Sequence, residues 1–275
     1  MWMRYETVHA VTYFAPEGRS AYEEAGLRGF WRGYFAGRAA PLGPVDAAPV
    51  TALFFSFAPS MVARALPDVW TRIAPAQALR ARRDGATAAL RALLPDGANG
   101  LAEAADLAEA AADATDCAGR ALGAANAALP AVPDAEPLTR LWQAATTLRE
   151  HRGDGHVAAL VAAGFDGCEA VMLRSALDGQ PAEYRPPRGW DEEHWAATQA
   201  GLVDRGWLDD AGQVTAEGRR VYAGVEDVTD RIAAAPWREL GVARTQRLAE
   251  LIQPIADAAS AVLPYPNPVG IPPLR

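Results

Sequence analysis

The sequence predicts a mostly α-helical protein with two helical lobes, a long helix between them and one small β-hairpin in the C-terminal lobe. Apolar residues recur every three to four positions through most of the 275 residues, as they do on the buried face of a helix. Capping and breaking signals divide this pattern into short helices. An Asp-Ala-Gly turn at 210–212 separates two short apolar runs and predicts the hairpin.

The N-terminal lobe is predicted to cover residues 1–95 and to repeat part of the C-terminal pattern. Its apolar positions can be aligned with Val157, Leu160 and the segment Val171–Leu177, and these positions are Val50, Leu53, Phe57, Met61, Val62 and Leu66. Residues 96–136 are predicted to connect the lobes. They contain an alanine-rich helix over Leu101–Ala128 and then a proline-rich linker.

The C-terminal lobe, residues 137–275, is predicted to begin with three short helices. The first breaks at Gly153-Asp154-Gly155, and the second stops at Gly164. The third begins with a capping box formed by Asp166 and Glu169 and continues to Leu177.

A fourth helix is predicted after the N-cap Asp191, and it ends at Gly206. The hairpin follows, and Thr215 is expected to cap the next helix. The last helix has an apolar face that includes Leu251 and Ile255. Short helices, then a hairpin and a further helix, are the order of a winged-helix domain, so both lobes are expected to be helix-turn-helix-like.

Two sets of residues carry a resemblance to known families. The runs Leu202–Leu208 and Val214–Arg220 resemble the wing region of MarR-type regulators. The run Arg149–Leu160, which begins REHRGDGH, is similar to a family of helix-turn-helix-like proteins of high-GC bacteria, and so are Tyr34–Gly43 and Pro266–Gly270. The resemblance implies a winged-helix C-terminal half and favours a homodimer.

The charge of the chain argues against a DNA-binding function. The net charge is −8, whereas DNA affinity depends on cations that neutralise phosphates. The predicted recognition helix over Asp166–Leu177 has two acids and one basic residue, Arg174. The tip of the hairpin adds Asp209 and Asp210. We therefore expect no nucleic-acid partner.

The composition also bears on compartment and cofactor. No stretch approaches the ~20 apolar residues of a membrane span, and residues 1–6 lack the signal-peptide pattern, so a cytoplasmic protein without a membrane partner is expected. Cys117 and Cys168 are isolated, which favours neither a disulfide framework nor a thiolate metal site. No nucleotide-binding or nucleophile-elbow motif is present, and the cofactor is left open.

The polar run Glu150–His156 predicts the candidate site. Arg152 continues an apolar helix face and should point inward, where its charge needs an anionic partner. In one interpretation Glu150 or Asp154 is that partner, and the run is purely structural. In a second, Arg152 and a histidine bind an anionic or carbonyl group of a small molecule. In a third, which no other pattern supports, the histidines of the run bind a metal with His9.

The preferred hypothesis is a small-molecule-binding protein on a regulator-derived scaffold, with its pocket between the lobes. Seven residues are predicted to bind the ligand: His9, Tyr13, Phe35, Arg38, Trp142, Glu150 and Arg152. The first alternative is an enzyme of secondary metabolism that uses His151, Asp154 and His156 for acid–base, metal or haem chemistry. The second alternative is a ligand-responsive MarR-like transcriptional regulator.

Overall fold

The structure is a computed structural model that describes residues 1–94, 98–132, 134–179, 181–265, 267 and 271. Within these residues the chain forms fifteen α-helices and two short 3-10 helices, at Ala40–Leu42 and Asp68–Thr71. The prediction of a mostly helical fold is confirmed.

The helices follow one another with short connections. The first eight are α1 Trp2–Phe14, α2 Pro16–Glu24, α3 Phe30–Ala39, α4 Ala47–Phe54, α5 Pro59–Ala63, α6 Pro75–Leu93, α7 Leu101–Asp113 and α8 Ala121–Ala127. The remaining seven are α9 Pro137–Ala162, α10 Gly167–Leu177, α11 Pro181–Arg188, α12 Glu192–Asp204, α13 Ala216–Ala233, α14 Ala235–Leu240 and α15 Val242–Ser260.

The chain divides into two compact units that do not follow chain order. The first unit contains Met1–Val45, Ala65–Asp154 and Ala233–Arg275, and the second contains Asp46–Arg64 and Gly155–Ile232. The predicted N-terminal lobe therefore contributes to both units, because α4 and α5 belong to the second. The predicted domain ranges 1–95, 96–136 and 137–275 describe chain order rather than packing, and they stay a prediction.

In the first unit, α1 is a central helix. All of residues 5–12 are buried, including the polar side chains of Glu6, His9 and Thr12. Helix α1 packs against α6 and α15, and α15 contributes Leu251 and Ile255 to the same core, as the apolar spacing predicted. A helix that is buried on all sides must find partners for its polar groups inside the protein.

The second unit has a separate core around Leu173, Leu202 and Trp207. Its helix ends are set by the predicted caps. Asp166 and Glu169 form a capping box at the start of α10, and Asp191 accepts a hydrogen bond from the His194 amide at the start of α12.

Thr215 caps α13 by accepting a hydrogen bond from the Gly218 amide at 3.0 Å. The predicted β-hairpin before it is not found. In the part of the chain that the structure describes, the only β pairing is a single antiparallel bridge between Leu208 and Val214. The intervening turn satisfies its own amides, since Asp209 Oδ1 accepts from Ala211 and Gln213.

The predicted break at Gly153-Asp154-Gly155 is wrong, because α9 continues through it. Each glycine costs a helix only about 1 kcal/mol relative to alanine. Tertiary contacts on both sides of α9 outweigh that cost: Asp154 accepts a hydrogen bond from the Gly123 amide at 2.9 Å, and Glu150 pairs with Arg38.

The predicted single helix over Leu101–Ala128 is also wrong, because residues 114–120 separate α7 from α8. Asp116 Oδ1 accepts a hydrogen bond from the Ala118 amide at 3.0 Å, and Gly119 has a φ of +70°. Such local side-chain bonds and left-handed backbone compete with helix formation.

In the described residues no single helix is long and apolar enough to cross a membrane. Helices α9 and α10 are long and apolar enough only when taken together, and they are bent by 101° at the break between them.

Candidate functional site

The first unit contains a buried group of charges, which we call the ionic cluster: Glu6, Arg38, Arg149 and Glu150. Glu150 on α9 is 1% exposed and accepts two hydrogen bonds from Arg38 on α3, at 3.0 and 3.1 Å, and one from Arg149 at 2.8 Å. Arg149 also reaches Glu6 on α1 at 3.3 Å. Burial by itself would raise the pKa of Glu150, but the two guanidinium groups outweigh it and hold that pKa well below its usual range. Glu150 is therefore ionised.

A second buried network runs through His9. Thr146 donates its hydroxyl proton to the Trp142 carbonyl at 2.8 Å, so its oxygen accepts from His9 Nδ1–H at 2.9 Å. His9 Nε2 accepts a hydrogen bond from the Tyr13 hydroxyl at 2.9 Å. Burial and the nearby Arg149 charge lower the pKa of His9 well below its ordinary value, so the ring is neutral and its tautomer is set by its partners.

The two networks meet at a pair of tyrosines. Tyr34 accepts a hydrogen bond from Arg38 at 3.2 Å, and the Tyr13 and Tyr34 rings lie 5.1 Å apart. Each phenol oxygen is therefore hydrogen-bonded to a side chain that has further partners of its own: Tyr13 to His9, and Tyr34 to Arg38. This is the preorganisation that a binding site needs.

A cavity opens beside these tyrosines, inside the first unit. It is lined by Thr12, Tyr13, Arg19, Tyr22, Glu23, Leu27, Gly29, Phe30, Gly33 and Tyr34. Its open space, which includes solvent at the mouth, is about 320 Å³. The enclosed part is small, so a ligand the size of one aromatic ring requires the lining side chains to move apart, and Phe30 among them is 38% exposed.

Two glycines of α3 make room for Tyr22 in the cavity wall. A Cβ atom on Gly33 would lie 2.8 Å from Tyr22 Cδ2, and one on Gly37 would lie 1.7 Å from the Tyr22 hydroxyl oxygen. No other residue type fits these positions without moving the Tyr22 ring. Burial raises the pKa of Tyr22 to about 12, so the phenol is protonated at neutral pH.

Arg82 on α6 lies behind this wall and is 4% exposed. It donates hydrogen bonds to the Gly37 carbonyl at 3.2 Å and to Asn126 Oδ1 at 3.1 Å, and its guanidinium carbon lies 5.4 Å from the Trp142 ring centroid. Its Nε atom has no hydrogen-bond partner in the described part of the chain.

Five of the seven predicted ligand residues belong to this one assembly: His9, Tyr13, Arg38, Trp142 and Glu150. Of the seven, Tyr13 lines the cavity directly. Phe35 is fully buried and packs on the Tyr34 ring. Arg152 points inward as predicted, at 8% exposure, but its guanidinium carbon lies over the Trp2 ring at 4.5 Å. Sequence reasoning named Tyr34 only within a motif and missed Tyr22 and Arg82 as site residues.

The three predicted catalytic residues have three separate environments. His151 contacts the Asp116 carbonyl through Nε2 at 3.1 Å, and Asp154 accepts from the Gly123 amide. His156 belongs to the second unit, where its Nδ1 lies 3.0 Å from the Thr229 hydroxyl oxygen. Among the described residues, no three His, Cys, Asp or Glu side chains are placed to hold a metal ion.

We predict that Glu150→Gln destabilises the protein by about 3–5 kcal/mol, because it leaves two buried guanidinium groups without their shared carboxylate. Urea denaturation at neutral pH measures the change. Glu103→Gln is the matched control, since Glu103 pairs with Arg247 at the surface and its loss should leave the unfolding midpoint nearly unchanged. Equal midpoints for the two variants would contradict the structural role of the ionic cluster.

A second prediction concerns Asp154, whose pKa burial raises from 3.8 to about 6. The native state then binds this proton more tightly than the unfolded chain does, so the contribution of Asp154 to stability should fall as the pH rises from about 4 to about 6. At about 1.36 kcal/mol per pKa unit, the fall should be roughly 1–3 kcal/mol.

The measurement is the difference in unfolding free energy between the wild type and Asp154→Asn across that pH range. A difference is needed because His151, whose pKa burial lowers to about 4, acts in the opposite direction over an overlapping range. A difference that does not change with pH would show that Asp154 titrates normally.

Comparison with known proteins gives a family but no characterised relative. The model of a helix-turn-helix family matches residues 1–266. No curated protein and no solved structure shows significant similarity to the chain. Part of the C-terminal segment that carried the resemblance, Pro266 and residues 268–270, lies outside the described residues. Because the match extends over nearly the whole sequence, the chain belongs to this helix-turn-helix family.

Proposed function

We propose that the protein binds a small molecule in the aromatic cavity of the first unit. The observation that carries this proposal is the attachment of two cavity tyrosines to buried polar networks, Tyr13 to His9 and Tyr34 to Arg38. Apolar side chains of similar volume are often as stabilising as a buried ion pair, so packing alone does not require these charges. A mostly apolar cavity with a few fixed polar groups is the usual form of a small-molecule site.

This proposal changes the location of the site predicted from the sequence. The pocket was expected between two lobes and close to the REHRGDGH run. The cavity instead lies within one unit, and the run contributes to it indirectly, through Arg149 and Glu150 beneath the tyrosines.

For the second unit we propose a winged-helix scaffold, in which α12, the bridge Leu208–Val214 and α13 follow in the expected order. Helix α10, the predicted recognition helix, buries Val171, Met172 and Leu173, so it has little surface for DNA. Helix α12 is the exposed helix before the bridge. It has no arginine, and acids precede and begin it at 191–193. Such a surface repels phosphate, which supports little or no DNA binding.

An enzyme is the second candidate, and one observation favours it. The neutral His9 imidazole accepts a hydrogen bond from the partly buried Tyr13 hydroxyl, and a His–Tyr pair whose tyrosine lines the cavity is of the kind used for acid–base catalysis. In that case His9 and Tyr13 would be the reacting groups in place of His151, Asp154 and His156. The regulator alternative rests on the helix-turn-helix family and on the resemblance to MarR-type wings.

We predict that Phe30→Ala weakens small-molecule binding at least about tenfold, because it removes an aromatic wall of the cavity. Aromatic fragments are screened by ligand-observed NMR, and affinities for hits are measured by titration, with turnover followed in the same samples. Tyr265→Ala is the matched control, since Tyr265 has the same 38% exposure as Phe30 and does not line the cavity. Hits that bind both variants equally would place the site elsewhere.

We also predict that DNA binds more weakly than ~10 μM at low salt, whereas specific regulators reach nanomolar affinity. Fluorescence anisotropy with DNA from the promoter region of the protein's own gene tests this. A sequence-specific complex whose affinity falls steeply with salt would favour the regulator and overturn the proposal for the second unit.

A further inference from the structure

We infer that the cavity binds a ligand with a negative charge, and that an aromatic carboxylate is the class that fits it. This inference rests on the proposed binding function and adds to it the chemistry of the ligand. It depends on Arg82, a charge that the fold leaves without an acidic partner.

The other buried arginines beneath the cavity have acidic partners. Arg38 and Arg149 share the Glu150 carboxylate, and Arg149 also contacts Glu6. Among the described residues, Arg82 contacts a backbone carbonyl, an amide oxygen and the face of Trp142, and the Glu150 charge acts on it without an ion-pair contact. The three contacting partners are neutral groups that carry only partial charges. Within the described residues no carboxylate lies at ion-pair distance from Arg82, and its positive charge is therefore not neutralised by a direct partner.

Arg82 is close to the cavity wall. It binds the carbonyl of Gly37, and the Tyr22 hydroxyl lies against the same glycine. The Arg82 charge lowers the pKa of Tyr22 against the larger effect of burial. The field of this buried cation therefore acts on Tyr22, a residue that lines the cavity, in a region where the low dielectric screens it little.

The cavity offers little that would repel an anion. Its lining includes one carboxylate, Glu23, which is already paired with Arg19 at 3.0 Å. Four aromatic rings, those of Tyr13, Tyr22, Phe30 and Tyr34, supply faces and edges for a planar ligand. An aromatic acid would meet both features, since its ring packs on the wall and its carboxylate compensates the excess positive charge.

The test compares single-ring aromatic carboxylates with their uncharged amides, benzoate with benzamide and salicylate with salicylamide, by calorimetric or NMR titration of the whole chain. We expect the carboxylate to bind at least about tenfold more tightly than its amide, because the Arg82 charge behind the cavity wall attracts an anion across a region of low dielectric. In Arg82→Met this preference should fall to within about twofold, with amide binding little changed. Arg80→Met is the matched control, because it removes the same charge from an exposed position of the same helix and should keep the preference.

A second variant protects the test against misfolding of Arg82→Met. Asn126→Asp places a carboxylate 3.1 Å from Arg82 and should also abolish the preference for carboxylates. Equal affinity for both members of each pair, with dependence on Phe30, would overturn the inference and leave the binding function standing. A preference that persists in both Arg82→Met and Asn126→Asp would also overturn it. If neither class binds, the inference and the binding function fail together.

Discussion

The first unit is organised around one carboxylate. Glu150 on α9 binds the guanidinium of Arg38 on α3 through both oxygens, and Arg149 carries the contact on to Glu6 of α1. Removing one partner from such a buried group leaves an uncompensated charge, which costs several kcal/mol. Helices α1, α3 and α9 are therefore constrained to positions in which these charges meet. The same constraint positions the aromatic wall of the cavity, because Tyr13 lies on α1 and Tyr34 on α3.

The same constraint explains how α1 can be buried on all sides while carrying polar residues. Two of its buried polar groups have defined partners: Glu6 completes the ionic cluster, and His9 connects Tyr13 to Thr146. The Thr146 hydroxyl donates to the Trp142 carbonyl, so its oxygen accepts from the protonated Nδ1 of His9. The unprotonated Nε2 is therefore the acceptor for Tyr13, and the fold sets this arrangement. Buried networks of this kind favour one arrangement over many.

Local signals in the sequence predicted the caps at Asp166, Asp191 and Thr215, because capping depends on residues within one turn. They failed at Gly153-Asp154-Gly155, where contacts from elsewhere hold the helix through two glycines. The candidate site shows the same division. Glu150 was identified from its own run, but its partner Arg38 is 112 residues away, and no periodicity in the sequence reports such a pairing. The sequence did not identify Arg82 as a site residue, because the absence of an acidic partner beside it becomes visible only in the folded structure.

The glycines of α3 have a consequence for how the cavity can change. Tyr22 fits because Gly33 and Gly37 leave the helix surface bare at two successive turns. A methyl group at either position would collide with the Tyr22 ring, so the place of this ring in the cavity wall depends on both glycines. A family member with alanine or serine at these sites would need a smaller residue in place of Tyr22, so the shape of the cavity wall can change within the family without any change to the charges beneath it.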